Sequence, residues 1–76
     1  MENKLTVSFR YDGKNYEREV LCTNTNENKS AIGETVAQSI VLWFEEHSIP
    51  VPEYVIDIKA TVIKENLGWS WDKLYL

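Results

Sequence analysis

Apolar residues recur at helical spacing in only one part of this chain. Between residues 30 and 47, Ile32, Val36, Ile40, Trp43 and His47 fall on one stripe at about 100° per residue, and Ala37, Val41 and Phe44 widen it into a broad arc. The pattern predicts one amphipathic helix. Ser30 is placed to cap it by accepting a first-turn N–H, and Glu34 lies towards the positive end of its dipole. Pro50 and Pro52 stop it, since proline lacks the N–H and biases the preceding residue towards extended backbone. Gln38, Leu42, Glu45 and Glu46 occupy the opposite, polar side.

Elsewhere the period is two. Leu5, Val7, Phe9 and Tyr11 alternate with Thr6, Ser8 and Arg10, and after Asp12-Gly13 a second alternation sets Tyr16, Val20 and Cys22 against Glu17 and Glu19. These predict a hairpin. A loop of two residues (Asp12-Gly13) or four (through Asn15) is expected, because a three-residue loop would set Val7 opposite Glu19 and split the apolar faces. The polar segment from Thr23 to Lys29 reads as an exposed loop.

After the prolines, Tyr54, Ile56, Ile58, Ala60 and Val62 predict the inner face of a third strand over 54–64, with Val55, Asp57, Lys59, Thr61 and Ile63 outside. At about 3.3 Å per residue it would span about 36 Å, against about 27 Å for the helix. The strand must therefore bend, pair beyond the helix, or offer an edge to another chain. Glu65-Asn66-Leu67-Gly68 carries turn chemistry, and the residues from Trp69 to Leu76 predict a fourth strand. Its alternation slips midway: Trp69 and Trp71 share a face with Lys73 and Tyr75 and not with Leu74 and Leu76. A bulge near Asp72-Lys73 would reconcile them.

The elements give one small α+β domain over residues 1–76, ordered ββαββ, a four-stranded sheet covered on one face by a single helix. With Asp12-Gly13 in the first hairpin and Ile49-Pro50 after the helix, this order resembles the β-grasp arrangement of ubiquitin-like and bacterial immunoglobulin-binding domains. The resemblance implies a scaffold commonly used for protein binding. The chain ends Leu74-Tyr75-Leu76, without the diglycine that conjugation requires.

Composition narrows the function classes. A chain of 76 residues, 43% of them hydrophobic, buries one modest core and leaves little room for an internal cleft. Twelve acidic against eight basic residues give a net charge of −4, with no cluster of Lys and Arg to track phosphates. Nucleic acid is thus a disfavoured partner, while docking on a basic protein surface stays open. The single cysteine cannot form an internal disulfide, and a strand pattern stands where a signal segment would be apolar. We therefore expect a cytoplasmic protein. No apolar run approaches the 18 or so residues that cross a bilayer, so no membrane association is expected.

Candidate chemistry is sparse. Nucleophilic catalysis would need Cys22 beside His47, the only thiol and the only imidazole, yet the pattern puts them at opposite ends of the helix, about 25 Å apart. The same scarcity excludes a zinc site of cysteines and histidines. Glu53 with Asp57-Ile58-Lys59 imitates the acidic-x-lysine signature of metal-dependent nucleases, but its spacing is compressed, and a cross-strand ion pair explains it better. We expect no enzyme activity and no cofactor.

Two features remain. Glu45 and Glu46 sit where their charges oppose the helix dipole. Either they form a solvated acidic turn, or, with Gln38 and the apolar Leu42, they rim a small protein-binding surface. Trp69 and Trp71, two apart on a strand, either cover the helix around Trp43 and Phe44 or form an aromatic platform for single-stranded nucleic acid or a flat ligand. The expected function is a non-catalytic protein-binding module, a stoichiometric inhibitor or adaptor of the kind that phages direct at host or defence proteins. Its partner-binding residues would be Gln38, Leu42, Glu45 and Glu46, and an edge strand offers a second route, to a homodimer.

Overall fold

A computed structural model describes residues 3–22, 29–62 and 66–76. Its elements are β1 (Asn3–Tyr11), β2 (Lys14–Cys22), α1 (Lys29–Glu46), β3 (Tyr54–Val62) and β4 (Leu67–Tyr75). All strands are antiparallel in one sheet of order β2-β1-β3-β4, with α1 on one face. The likeness to β-grasp chains lies in the element order and the single covering helix. Within the sheet, β1 has β3 beside it, antiparallel, where a β-grasp sheet seats its last strand in parallel.

The first hairpin closes with the two-residue loop Asp12-Gly13, since Tyr11 faces Lys14 and the register runs unbroken to Asn3 opposite Cys22. Both loop residues have positive φ, 52° and 76°, the geometry that matches strand twist and that Asp-Gly adopts readily. Phe9 therefore faces Tyr16 and Leu5 faces Val20, as the even-loop argument requires. The same register brings Arg18 opposite Val7, on the helix side of the sheet.

The core forms where the two central strands meet the helix. Leu5, Val7 and Phe9 from β1, Ile32, Val36, Ile40 and Phe44 from α1, and Val55, Ile58, Ala60 and Val62 from β3 are all at most 2% exposed. Phe44 is fully buried, whereas His47, expected on the buried stripe, is exposed just beyond the helix and stacks on Trp43 with centroids 4.2 Å apart. Phe9, Tyr11, Tyr16, Trp43 and Phe44 form one aromatic cluster, with Tyr16 and Trp43 at 4.6 Å and Tyr11 and Phe44 at 4.8 Å.

The third strand departs from its expected faces. Val55 is buried at 2%, whereas Tyr54 and Ile56 are 42% and 40% exposed. The cause is Asp57, whose φ of 53° is left-handed. The β1–β3 register shifts there, with Ser8 opposite Lys59 but Arg10 opposite Ile56. One extra residue in β3 reverses the faces of everything before it. The slip expected at Asp72-Lys73 is its counterpart: Trp71 and Leu74 are both half-buried with Asp72 and Lys73 exposed between them, and β4 follows β3 at constant register. The two strands kink together.

The helix begins at Lys29, so Ser30 lies inside its first turn and not at the cap. Residues 23–28, where the sequence predicts a loop, and residues 63–65, with Ile63 and Glu65, lie outside the described residues, as does the side chain of Cys22. At its other end the helix closes without glycine. Ile49 N–H donates to the Phe44 carbonyl (2.9 Å) and Ser48 N–H to the Glu45 carbonyl (3.1 Å). With Ser48 at φ 57°, this is the Schellman pairing that satisfies terminal carbonyls.

Candidate functional site

The solvent face of α1 carries the residues singled out by the sequence. Leu42 is 52% exposed, and Gln38 and Glu45 are exposed beside it. Ala37, Gln38, Val41 and Leu42 line a shallow, mostly apolar depression of about 320 Å³ together with Leu76 just past the end of β4. Helical spacing explains the grouping, since positions 38, 41, 42 and 45 are neighbours at i+3 and i+4. Leu42 is thus the outer margin of an apolar strip that runs over α1 towards β4.

Glu46 has a different setting. Its Oε1 accepts a 2.7 Å bond from Arg18 Nη1, which also donates to the Ser39 carbonyl at 2.9 Å. The Arg18 side chain is only 24% exposed and its Nε is buried without a hydrogen-bond partner among the described residues. The acid at the unfavourable end of the helix therefore anchors an arginine that reaches up from β2. Sequence reading missed Arg18 because its neighbours Glu17 and Glu19 face solvent. Its position at i+2 from Tyr16, in the apolar set, was the available signal.

Trp69 and Trp71 pair with Ala60 and Ile58 on the helix side and are half-buried against the core. A Cβ built on Gly33 would lie 3.5 Å from Trp71 Cζ2, so the indole lies over the first half of α1. Trp43 and Phe44 have Phe9, Tyr11 and Tyr16 as ring neighbours instead. Lys73, the cation nearest in sequence to the two tryptophans, is on the opposite face. There it stands 4.4 Å from the centroid of the Tyr54 ring and 5.9 Å from that of Tyr75. Tyr54, Ile56 and Tyr75 form an exposed patch around it, displayed only because the kink at Asp57 turns the first residues of β3 outward.

Cys22 ends β2 and His47 follows the far end of α1. Nδ1 of His47 donates to the Trp43 carbonyl at 2.8 Å. Asp57 and Arg10 approach to 4.0 Å on exposed side chains. Among the described residues no three or more His, Cys, Asp and Glu side chains are grouped to hold a metal, and no described helix is long and apolar enough to cross a membrane. No protein family, curated protein or solved structure matches the chain.

Proposed function

We propose that the chain is a non-catalytic protein-binding module, a stoichiometric inhibitor or adaptor working in the cytoplasm, and that it docks through the solvent face of α1. The observation that carries this reading is the exposed Leu42, continuous with Val41 and Leu76 in one shallow apolar depression. Glu45 and Glu46 stand exposed at the end of the same helix. An apolar centre with an acidic rim suits a partner that offers an apolar side chain flanked by Lys or Arg. Glu46, held by Arg18, takes a supporting part: it fixes the end of the helix, and its remaining oxygen is left for the partner.

The aromatic-platform alternative has less support, because both indoles are half-buried beneath the helix and Lys73 is on the other face. A photo-cross-linking side chain at position 42 tests the proposal. It should trap a single protein from a source-cell lysate, while the same group at Lys59, on the uncovered face of the sheet, traps none. Equal trapping at both positions, or trapping at Lys59 alone, rejects the helix face.

A further inference from the structure

The two edges of the sheet are not equally protected. β2 carries Glu17 and Glu19 on one face and turns Arg18 inward under the helix, and both charged residues and inward-pointing charge discourage strand addition. β4 has only Asp72 and Lys73, adjacent to each other, among Trp69, Trp71, Leu74 and Tyr75, with Leu76 just past its end.

The faces of β4 read the same in both directions. Trp69 and Trp71 are half-buried, Ser70 and Asp72 exposed; then Lys73 and Tyr75 are exposed, Leu74 and Leu76 half-buried. The centre of this palindrome is the Asp72–Lys73 bond. An ordinary strand cannot do this, because strict alternation lets an antiparallel twofold pair only residues of equal parity. The kink shared with β3 changes the parity halfway and makes the odd register available. β3 already demonstrates the fit, placing Ile58 opposite Trp71, Val55 opposite Leu74 and the exposed Ile56 opposite Lys73.

We propose that β4 pairs antiparallel with β4 of a second copy of this chain, about a twofold axis through the Asp72–Lys73 level. In that register Trp71 faces the second copy's Leu74, Trp69 its Leu76 and Ser70 its Tyr75. Asp72 faces Lys73, and Lys73 faces Asp72. Opposite charges meet twice, apolar residues meet on the helix side, and the product is a continuous eight-stranded sheet with both helices on one face. The groove of about 460 Å³ between α1 and β4, lined by Gly33, Ala37, Trp71 and Leu74, lies beside the join. On α1 itself Gln38, Val41 and Leu42 stay open, and Leu76, which lines both the docking depression and the join, is shared between this inference and the docking proposal.

Sedimentation equilibrium of Asp72→Lys and Lys73→Asp tests the register. The parent chain should sediment as a dimer. Asp72→Lys sets two lysines against each other on both sides of the axis, and Lys73→Asp sets two aspartates, so each variant alone should associate at least about tenfold more weakly. An equimolar mixture of the two should form a heterodimer, because every pair is then lysine against aspartate. Rescue by mixing also shows that both variants are folded, with far-UV circular dichroism as an independent check. A monomeric parent chain, single variants that dimerise like the parent, or a mixture no tighter than its folded components overturns the proposal.

Discussion

Asp57→Val separates two geometries of β3 by the sign of its effect. At φ 53° the Cβ crowds the following carbonyl at a cost of about 1–2 kcal/mol, and aspartate is among the side chains that tolerate this best. A β-branched side chain tolerates it worst. Little else is lost on substitution, because Asp57 is exposed and its approach to Arg10 is 4.0 Å between side chains 48% and 61% exposed, a contact worth about 0–1 kcal/mol. Asp57→Val should therefore destabilise the domain by about 1–2 kcal/mol. Asp57→Gly should stay within about 0.5 kcal/mol of the parent, because relief of the left-handed strain is offset by the extra entropy glycine loses on folding. In a domain of this size each 1 kcal/mol lowers Tm by about 4–8 °C. Urea unfolding followed by tryptophan fluorescence and far-UV circular dichroism reads both variants. In an unkinked strand the same valine would stabilise, since exposed strand positions favour β-branched residues over aspartate. A valine variant as stable as the parent, or more so, refutes the kink and the outward placement of Tyr54 and Ile56.

The helix end and the inward arginine give two further predictions. Ser48→Gly should raise stability by about 0.5–1 kcal/mol, since Ser48 holds the left-handed position of the Schellman closure that glycine occupies without a Cβ clash; an unchanged urea midpoint contradicts this. Arg18→Met keeps the apolar stem and removes the bonds to Ser39 and Glu46, so it should cost about 1 kcal/mol, less in molar salt because the Glu46 end is exposed. Equal midpoints for parent and variant at low salt would show that the pair contributes nothing.

The shared apolar face of the first hairpin, the helix and the element order were legible in the sequence because each rests on a local rule, whereas the choice between a two- and a four-residue loop was not. A two-residue Asp-Gly turn fixes which residues of β1 and β2 share a face, and the prolines fix where the helix must stop. The slip in β4 was also visible, since its apolar residues change parity between Trp71 and Leu74. The matching slip in β3 was hidden, because Tyr54, Ile56 and Ile58 imitate a regular inner face. The only local mark against it was an aspartate in mid-strand, a type that strands disfavour. Strand order depends on how the two hairpins dock, which no local pattern specifies. The site was legible to a similar extent: Leu42 and Gln38 could be placed on the outer helix face from periodicity, whereas the Arg18–Glu46 bond joins residues 28 apart and appears only once β2 and α1 are packed together.

The function we propose is capture of a protein through the outer face of α1. Affinity capture from a source-cell lysate, washed at high salt and analysed for bound protein and nucleic acid, tests it most directly when the parent is compared with Leu42→Arg/Glu45→Lys, which leaves Glu46 on Arg18. One protein retained by the parent at a fixed ratio, and lost by the folded variant, is the predicted result. Undiminished capture by the variant, or nucleic acid recovered without protein, contradicts it.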